Sequence, residues 1–434
     1  MRIGFAFLAC TLACGCGGGF GPSYPVNPIG DSTLIQANDA VRVSPDETHV
    51  WIPHGGNLLA VDTSSGVIST VYPITGLSDL RMAFLESNLA ILLATDPSGC
   101  PFSTTACSRF VRIHTDSLAA DAVAWEGSTF QLGELSPSGS LLALTGGFWD
   151  EGTYLVGADG APELLHWSAG PSAMGWSRCL SGCDERLWIV GGATAQSWRA
   201  TGGQLEAAPD LSFDLDCGPL FYGLRPQVAA SPNGRFVALS CANGNFSLFD
   251  SLTGSLRSTV HQGQVAFADG DKKIVGHDVG DLDEAVGSPD ESDDKHIESC
   301  LELIDTTTLD ASFLNCDLGV YRYYVTRDGR FVFIDGSYAL DVSGAAIRNG
   351  AVSSLSDGEF VERPGHGQLW EAKGGALVRL DVLDGETAFT STRVDHLNVL
   401  PMQDRLALLA SDSSLTLTFF SMVTDSAQQV VTIP

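Results

Sequence analysis

The chain has 434 residues, 44% hydrophobic and 17% charged, which is ample apolar material for a large core and not the composition of a disordered chain. Its 52 acidic against 23 basic residues give a formal net charge of −29 with no run of Lys and Arg, which tells against nucleic acid as a partner and against docking of the folded body on anionic lipid. Forty-eight glycines spread along the length predict many tight turns and an all-β fold, because glycine takes positive φ at little steric cost.

Met1-Arg2 precedes an apolar run from Ile3 to Ala13 and then Cys14-Gly15-Cys16-Gly17-Gly18-Gly19. A basic start, a short apolar stretch and small residues make an export signal too short to span a membrane. Small residues directly before a cysteine resemble the bacterial lipobox, which implies that the cysteine is acylated. The leucine that this pattern prefers three places earlier is replaced by Ala13 before Cys16 and by Thr11 before Cys14. Cysteine parity separates the two. The remaining eight fall into near neighbours, Cys100 with Cys107, Cys179 with Cys183, Cys217 with Cys241 and Cys300 with Cys316, the simplest of many disulfide connectivities. Acylation at Cys16 leaves that even set intact, whereas acylation at Cys14 leaves Cys16 as an odd thiol. Cys16 is the expected anchor, with Cys14 and cleavage without a lipid as the alternatives. Residues 1–15 then form a signal peptide, 16–31 a tether rich in Gly, Pro and Ser, and 32–434 the folded domain. A glycine after the anchor, where inner-membrane lipoproteins carry Asp, implies outer-membrane delivery, on the periplasmic side or the cell surface.

One turn recurs along the folded domain, as Ser44-Pro45-Asp46-Glu47, Ser136-Pro137-Ser138-Gly139, Ser231-Pro232-Asn233-Gly234, Ala268-Asp269-Gly270-Asp271 and Thr326-Arg327-Asp328-Gly329. Each lies between short apolar strands and has hairpin chemistry. A second marker is an apolar strand ending in Asp before a polar turn, as at Asp62, Asp250, Asp305 and Asp381, and it follows Ser44 by 18 positions and Ser231 by 19. Weaker copies of the first turn stand at Leu85–Asn88, Leu180–Cys183, Arg363–His366 and Pro401–Asp404. The unit is four short strands in roughly 40 to 45 residues, the period of a propeller blade. Nine units are counted, beginning near 39, 78, 129, 171, 224, 263, 320, 357 and 395; a misread unit would make the ring eight or seven blades, and Asp31 to Asn38 could pair with the last blade.

This consensus resembles YVTN-type propeller repeats and, more loosely, WD-type and TolB-like ones. The resemblance implies one closed β-propeller of four-stranded blades. In such a blade the loop between strands two and three, and the loop to the next blade, open on one face. The long insertions 96–108, 210–224 and 276–299 all fall there, as do most of the paired cysteines, and only Cys179 and Cys183 belong to the opposite face. The same face carries Phe148 and Trp149, an aromatic pair suited to anchoring a partner, and the acidic stretch containing Asp278, Asp281, Asp283 and Glu284. The acidic stretch could supply oxygens to Ca²⁺ but does not match an EF-hand spacing, so it reads as a solvated loop. His54, His277 and His296 fall on this face too and, with Asp281 and Asp283, are the candidate metal ligands.

No nucleophile elbow, zinc-binding helix signature or phosphate loop occurs, so no catalytic residue is assigned and no cofactor is expected. The expected function is a lipid-anchored envelope binding or assembly module, its partner an envelope protein or extracellular ligand held by loops on one face. The alternatives are a metal-dependent hydrolase or lactonase with a site at the central channel, and a structural lipoprotein without a specific ligand.

Overall fold

The computed structural model describes residues 41–434 except 86–87, 97–106, 124–129, 147–151, 158–161, 168–170, 179–183, 192, 216–226, 241–244, 262–263, 279–299, 316–322, 327–328, 335–338, 343–346, 349–359, 383 and 412–413. The described residues form nine antiparallel sheets, each taken from one continuous stretch of chain: 42–73, 78–123, 130–167, 171–214, 227–261, 264–315, 323–348, 360–393 and 396–433, here blades 1 to 9. Within each blade the strands pair in sequence order from an inner first strand to an outer fourth. The nine inner strands begin within three residues of the starts read from the repeat. Among the described residues no helix is long and apolar enough to cross a membrane.

Alternation of side chains along a strand, with a period of two, makes each blade sticky on both faces. In blade 5, Val237, Leu239 and Phe249 pack toward blade 4, while their neighbours Phe236, Ala238 and Leu248 pack toward blade 6. In blade 9, Leu406, Leu408 and Phe420 face blade 8, and Ala407, Leu409 and Phe419 face blade 1. Every successive pair of blades shares an apolar cluster of this kind, and Val50, Ile52, Leu59 and Val61 of blade 1 complete the last one with blade 9. The sheets therefore close into a single nine-bladed propeller. Blade 9 is built from its own four strands, 396–433; Asp31 to Asn38 lie outside the described residues.

The two sequence markers have a shared physical cause. The hydroxyls of Ser44, Ser136, Ser231 and Thr326 are buried and accept hydrogen bonds from the N–H five residues on, at 3.0, 3.2, 2.9 and 2.9 Å. The marker aspartates accept from the following turn: Asp62 from the N–H of Ser64 and Ser65, Asp250 from Leu252 and Thr253, Asp305 from Thr307 and Thr308. Hydrogen bonds from Ser64 and Ser65 hold the Asp62 carboxyl well below the usual carboxylate range. The residue after each aspartate ties the two turns together, since the hydroxyls of Thr63, Ser251 and Thr306 donate to the carbonyls of Glu47, Gly234 and Asp271. Both turns thus lie on one face of the ring, and the constant spacing is the length of the two strands between them. Blade 6 keeps the tie although a long insertion separates its markers.

Blade 4 departs from this plan. Its outer strand is broken into Gln204–Leu205 and Leu211–Asp214, both pairing with Thr194–Thr201. Asp210, at the break, accepts from Arg186 and Arg199 at 2.7 Å each and from Ser197 at 2.7 Å, and buried Arg186 also donates to the Ser251 carbonyl of blade 5.

Candidate functional site

The strand directions divide the loops between two faces. First-to-second and third-to-fourth turns make the lower face, where neighbouring blades contact each other among the described residues. Carboxylates reach across three junctions to cap the neighbouring turn: Glu47 accepts from Met402 N at 2.6 Å, Asp271 from Asn233 N at 3.3 Å, and Glu185 from Ser138 N. Burial pushes Glu47 and Asp271 above the ordinary range.

Second-to-third loops and the connections between blades make the upper face. The longest insertions emerge there, with boundaries narrower than the sequence indicates. Asp96 pairs with Cys107 and Thr95 with Ser108, so the blade 2 insertion is 97–106. Gly276, His277 and Asp278 pair with Glu302, Leu301 and Cys300, so the blade 6 insertion is 279–299. The connection expected at 210–224 loses Leu211–Asp214 to the outer strand of blade 4 and becomes 215–226, because those residues satisfy their backbone groups on the free edge of Thr194–Thr201.

Among the expected site residues, His54 ends the second strand of blade 1, Asp278 ends that of blade 6 with His277 just before it, and Cys107 and Cys300 open third strands. All five are at the upper face. His54 and His277 stand four blades apart around the ring, so these two imidazoles do not converge on one ion. Among the described residues no group of three His, Cys, Asp or Glu side chains is placed to hold a metal. Cys14, Cys16, Cys100, Cys179, Cys183, Cys217, Cys241, Cys316, Phe148, Trp149, Asp281, Asp283, Glu284 and His296 lie outside the described residues. Asp96 at the root of the blade 2 insertion is buried and pairs with Arg109 at 2.7 Å, which anchors that root to the third strand.

The inner strands carry polar groups that the repeat pattern does not reveal. Trp176 Nε1 of blade 4 donates to the Glu134 carbonyl of blade 3 at 3.1 Å, Tyr324 Oη of blade 7 to Glu362 of blade 8 at 3.1 Å, and Asn398 Nδ2 of blade 9 to the Val41 carbonyl of blade 1 at 3.1 Å. The half-buried Glu134 carboxyl has no hydrogen-bond or ion-pair partner among the described residues, and burial pushes it up to about 8. A neutral carboxylic acid near pH 7 on this inner strand, on the face toward blade 4, can donate a hydrogen bond or a proton. The sequence signal for it is weak: one charged residue beside Gln131 and Gly133 in the strand Phe130–Leu135.

No known protein family matches this sequence, and no curated protein does. Solved structures that it resembles include the dihydro-heme d1 dehydrogenase NirN in complex with DHE, at 10% identity and a TM-score of 0.49 over 95% of this chain and 76% of that one. A eukaryotic initiation factor aligns at 10% identity and 0.48 over 95% of this chain and 90% of that one. Porphyromonas gingivalis dipeptidyl peptidase 4 aligns at 10% identity and 0.45 over 92% of this chain and 60% of that one. The propeller assignment rests on the nine sheets and their cyclic packing.

Proposed function

We propose that this protein is an envelope binding or assembly module, exported, anchored by a lipid on Cys16, and presenting its upper-face loops to an envelope protein or extracellular ligand. The observation that carries the reading is the asymmetry of the ring. Among the described residues its lower turns interlock at three junctions, while 97–106, 215–226 and 279–299 all connect the upper ends of strands. A rigid scaffold that elaborates one set of loops is the usual architecture of a recognition surface. The described chain begins at the upper face, because the first inner strand runs from Val41 down to the lower turn at Ser44.

Crosslinking in intact cells followed by identification of attached proteins tests the reading. Deleting 280–295 is expected to abolish capture of the crosslinked partner without lowering the amount of folded protein; capture that survives both this deletion and Trp149→Ala overturns it. Mass spectrometry of the mature N-terminus is expected to find a diacyl- or triacylglyceryl Cys16, and an unmodified terminus removes the anchor. Calcium is expected to leave the melting temperature unchanged, in keeping with a solvated acidic loop. A channel-site hydrolase is the second reading, favoured by Glu134 with its acidity shifted toward neutrality, and turnover of lactones or esters lost in Glu134→Gln would establish it.

A further inference from the structure

We propose that the lower face at the junction of blades 4 and 5 is a docking surface for an acidic peptide segment of another protein, held by Arg178, Arg235 and Arg257 and lying against Leu252 and Leu256. In a chain of formal charge −29, many of the described cations pair with the chain's own carboxylates, as Arg109 does with Asp96, Arg186 and Arg199 with Asp210, Arg363 with Asp404 and Arg379 with Asp425. Arg178, Arg235 and Arg257 are exposed, and among the described residues none of the three has a carboxylate within ion-pairing distance. They are neighbours in the fold. Arg178 ends the inner strand of blade 4, and its Cα is 3.3 Å from where a Cβ on Gly234 would stand, one residue before Arg235. Arg235 and Arg257 cover the same buried ring, that of Phe236, with guanidinium carbons 5.0 and 5.8 Å from its centroid.

The carboxylates of this neighbourhood are engaged elsewhere. Asp250 accepts from the N–H of Leu252 and Thr253 and from the Thr253 hydroxyl, and Asp184 accepts from Gly202 N at 2.8 Å. Asp271 of blade 6 lies near enough to feel the charge of Arg235, but it is buried and accepts from Asn233 N at 3.3 Å. A guanidinium lying over a ring keeps its in-plane N–H donors for a bidentate acceptor, and a carboxylate fits that fork. Leu252 and Leu256, in the lower turn and at the start of the outer strand of blade 5, are 48% and 56% exposed, two of the seven large apolar side chains that stand exposed among the described residues. The same turn is seated on blade 4, where a Cβ on Gly254 would meet Leu211 at 3.2 Å, so the surface is formed before a ligand arrives and little ordering opposes binding.

Charge and spacing identify the occupant. Arg235 stands in the first turn of blade 5 and Arg257 on its fourth strand, two to three strand spacings or roughly 10–14 Å across the blade. That is more than one phosphate or carboxylate spans and is matched by about three to four residues of extended chain. A peptide with carboxylates on both sides of an apolar pair reaches the separated forks and covers the leucines. An anionic bilayer is a poorer fit, because it would set its charge against the whole acidic body, whereas a peptide brings negative charge to the arginines alone. The surface lies on the face opposite the upper loops, so it is independent of the recognition role proposed for them.

Fluorescence anisotropy with a dye-labelled Glu-Glu-Leu-Leu-Glu-Glu peptide and the full chain in detergent tests this. The expected result is a Kd below about 1 mM at low salt that weakens several-fold as salt is raised, since the contact is between exposed opposite charges. Arg235→Glu with Arg257→Glu should abolish binding in a chain that still folds by circular dichroism, and Arg235→Lys with Arg257→Lys, which keeps the charge and loses the fork, should weaken it about fivefold. Arg330→Gln, at an ion-paired cation on the lower face of blade 7, should leave binding unchanged, as should deletion of 280–295. Absence of binding at low salt, equal binding of the peptide with Gln in place of Glu, undiminished binding by the Lys variant, or equal loss in Arg330→Gln overturns the proposal. Displacement of the peptide by equimolar inorganic phosphate, or capture of phosphatidylglycerol vesicles that the Glu variant loses, overturns it in favour of a simple anion or a lipid surface. Because the upper-face deletion spares this contact, failure of the binding reading and failure of this one are distinguishable.

Discussion

The hydroxyl at the head of the inner-strand turn in blades 1, 3, 5 and 7 is buried and accepts a hydrogen bond from the N–H five residues on. Ser231 shows the arrangement at its fullest, accepting from Phe236 N at 2.9 Å and hydrogen bonding Asp271 of the next blade. Ser231→Ala leaves a buried N–H and a buried carboxylate both short of a partner, and should lower unfolding stability by about 2 kcal/mol in denaturant titrations. Glu134 gives a pH signature of definite sign. Its folded pKa of about 8 lies above the ordinary 4.5, so its contribution to stability is fully present below pH 4.5 and is lost as pH rises to about 8. Glu134→Gln should therefore raise the melting temperature at pH 8.5 and leave it unchanged at pH 4. The difference should correspond to about 2 kcal/mol, short of the full shift because the side chain keeps some solvent contact.

At the scale of the element, the turns are built to touch their neighbours. Gly234 has a φ of +76° and sits against the Arg178 backbone of blade 4, so a Cβ there would collide with a carbonyl. Gly270, at the equivalent turn of blade 6, has a φ of +66° and open space around it. Gly234→Ala should cost upward of about 3 kcal/mol and Gly270→Ala about 1 kcal/mol, compared by chemical denaturation, because only the first combines backbone strain with a clash. The Ser-Pro-x-Gly spelling of the Gly234 turn was legible as a hairpin; that its glycine also makes room for another blade was not, since the contact spans 56 positions of sequence.

At the scale of the whole molecule, the ring closes without any covalent tie among the described residues. Blades 9 and 1 meet through Leu400, Ala407, Leu417 and Phe419 on one side and Val50, Ile52 and Val61 on the other, joined by the Asn398 and Met402 hydrogen bonds. Because each blade buries its two faces only against its neighbours, loss of one junction weakens all of them. Leu400→Ala, at a fully buried position, should cost about 2–5 kcal/mol and shift a single thermal transition, monitored in parallel by near-UV and far-UV circular dichroism; a separate early transition would mean that the seam opens independently.

The sequence by itself determined the strands, their turns and the four-strand unit, with nine units counted but eight or seven blades left open, because those features come from interactions within about 20 positions: alternation, hairpin chemistry, and hydroxyl and carboxylate caps. The near-continuous apolar runs such as Phe236–Leu239 followed from sheets buried on both faces. Only the tertiary structure decided that nine units close as one ring, that Leu211–Asp214 join blade 4 rather than the following loop, and that His54 and His277 stand far apart. It alone also placed Glu134 half-buried on the inner strand of blade 3, without a partner among the described residues. Those outcomes depend on which blades become neighbours, a matter of packing between residues distant in sequence, and a local pattern has no term for it.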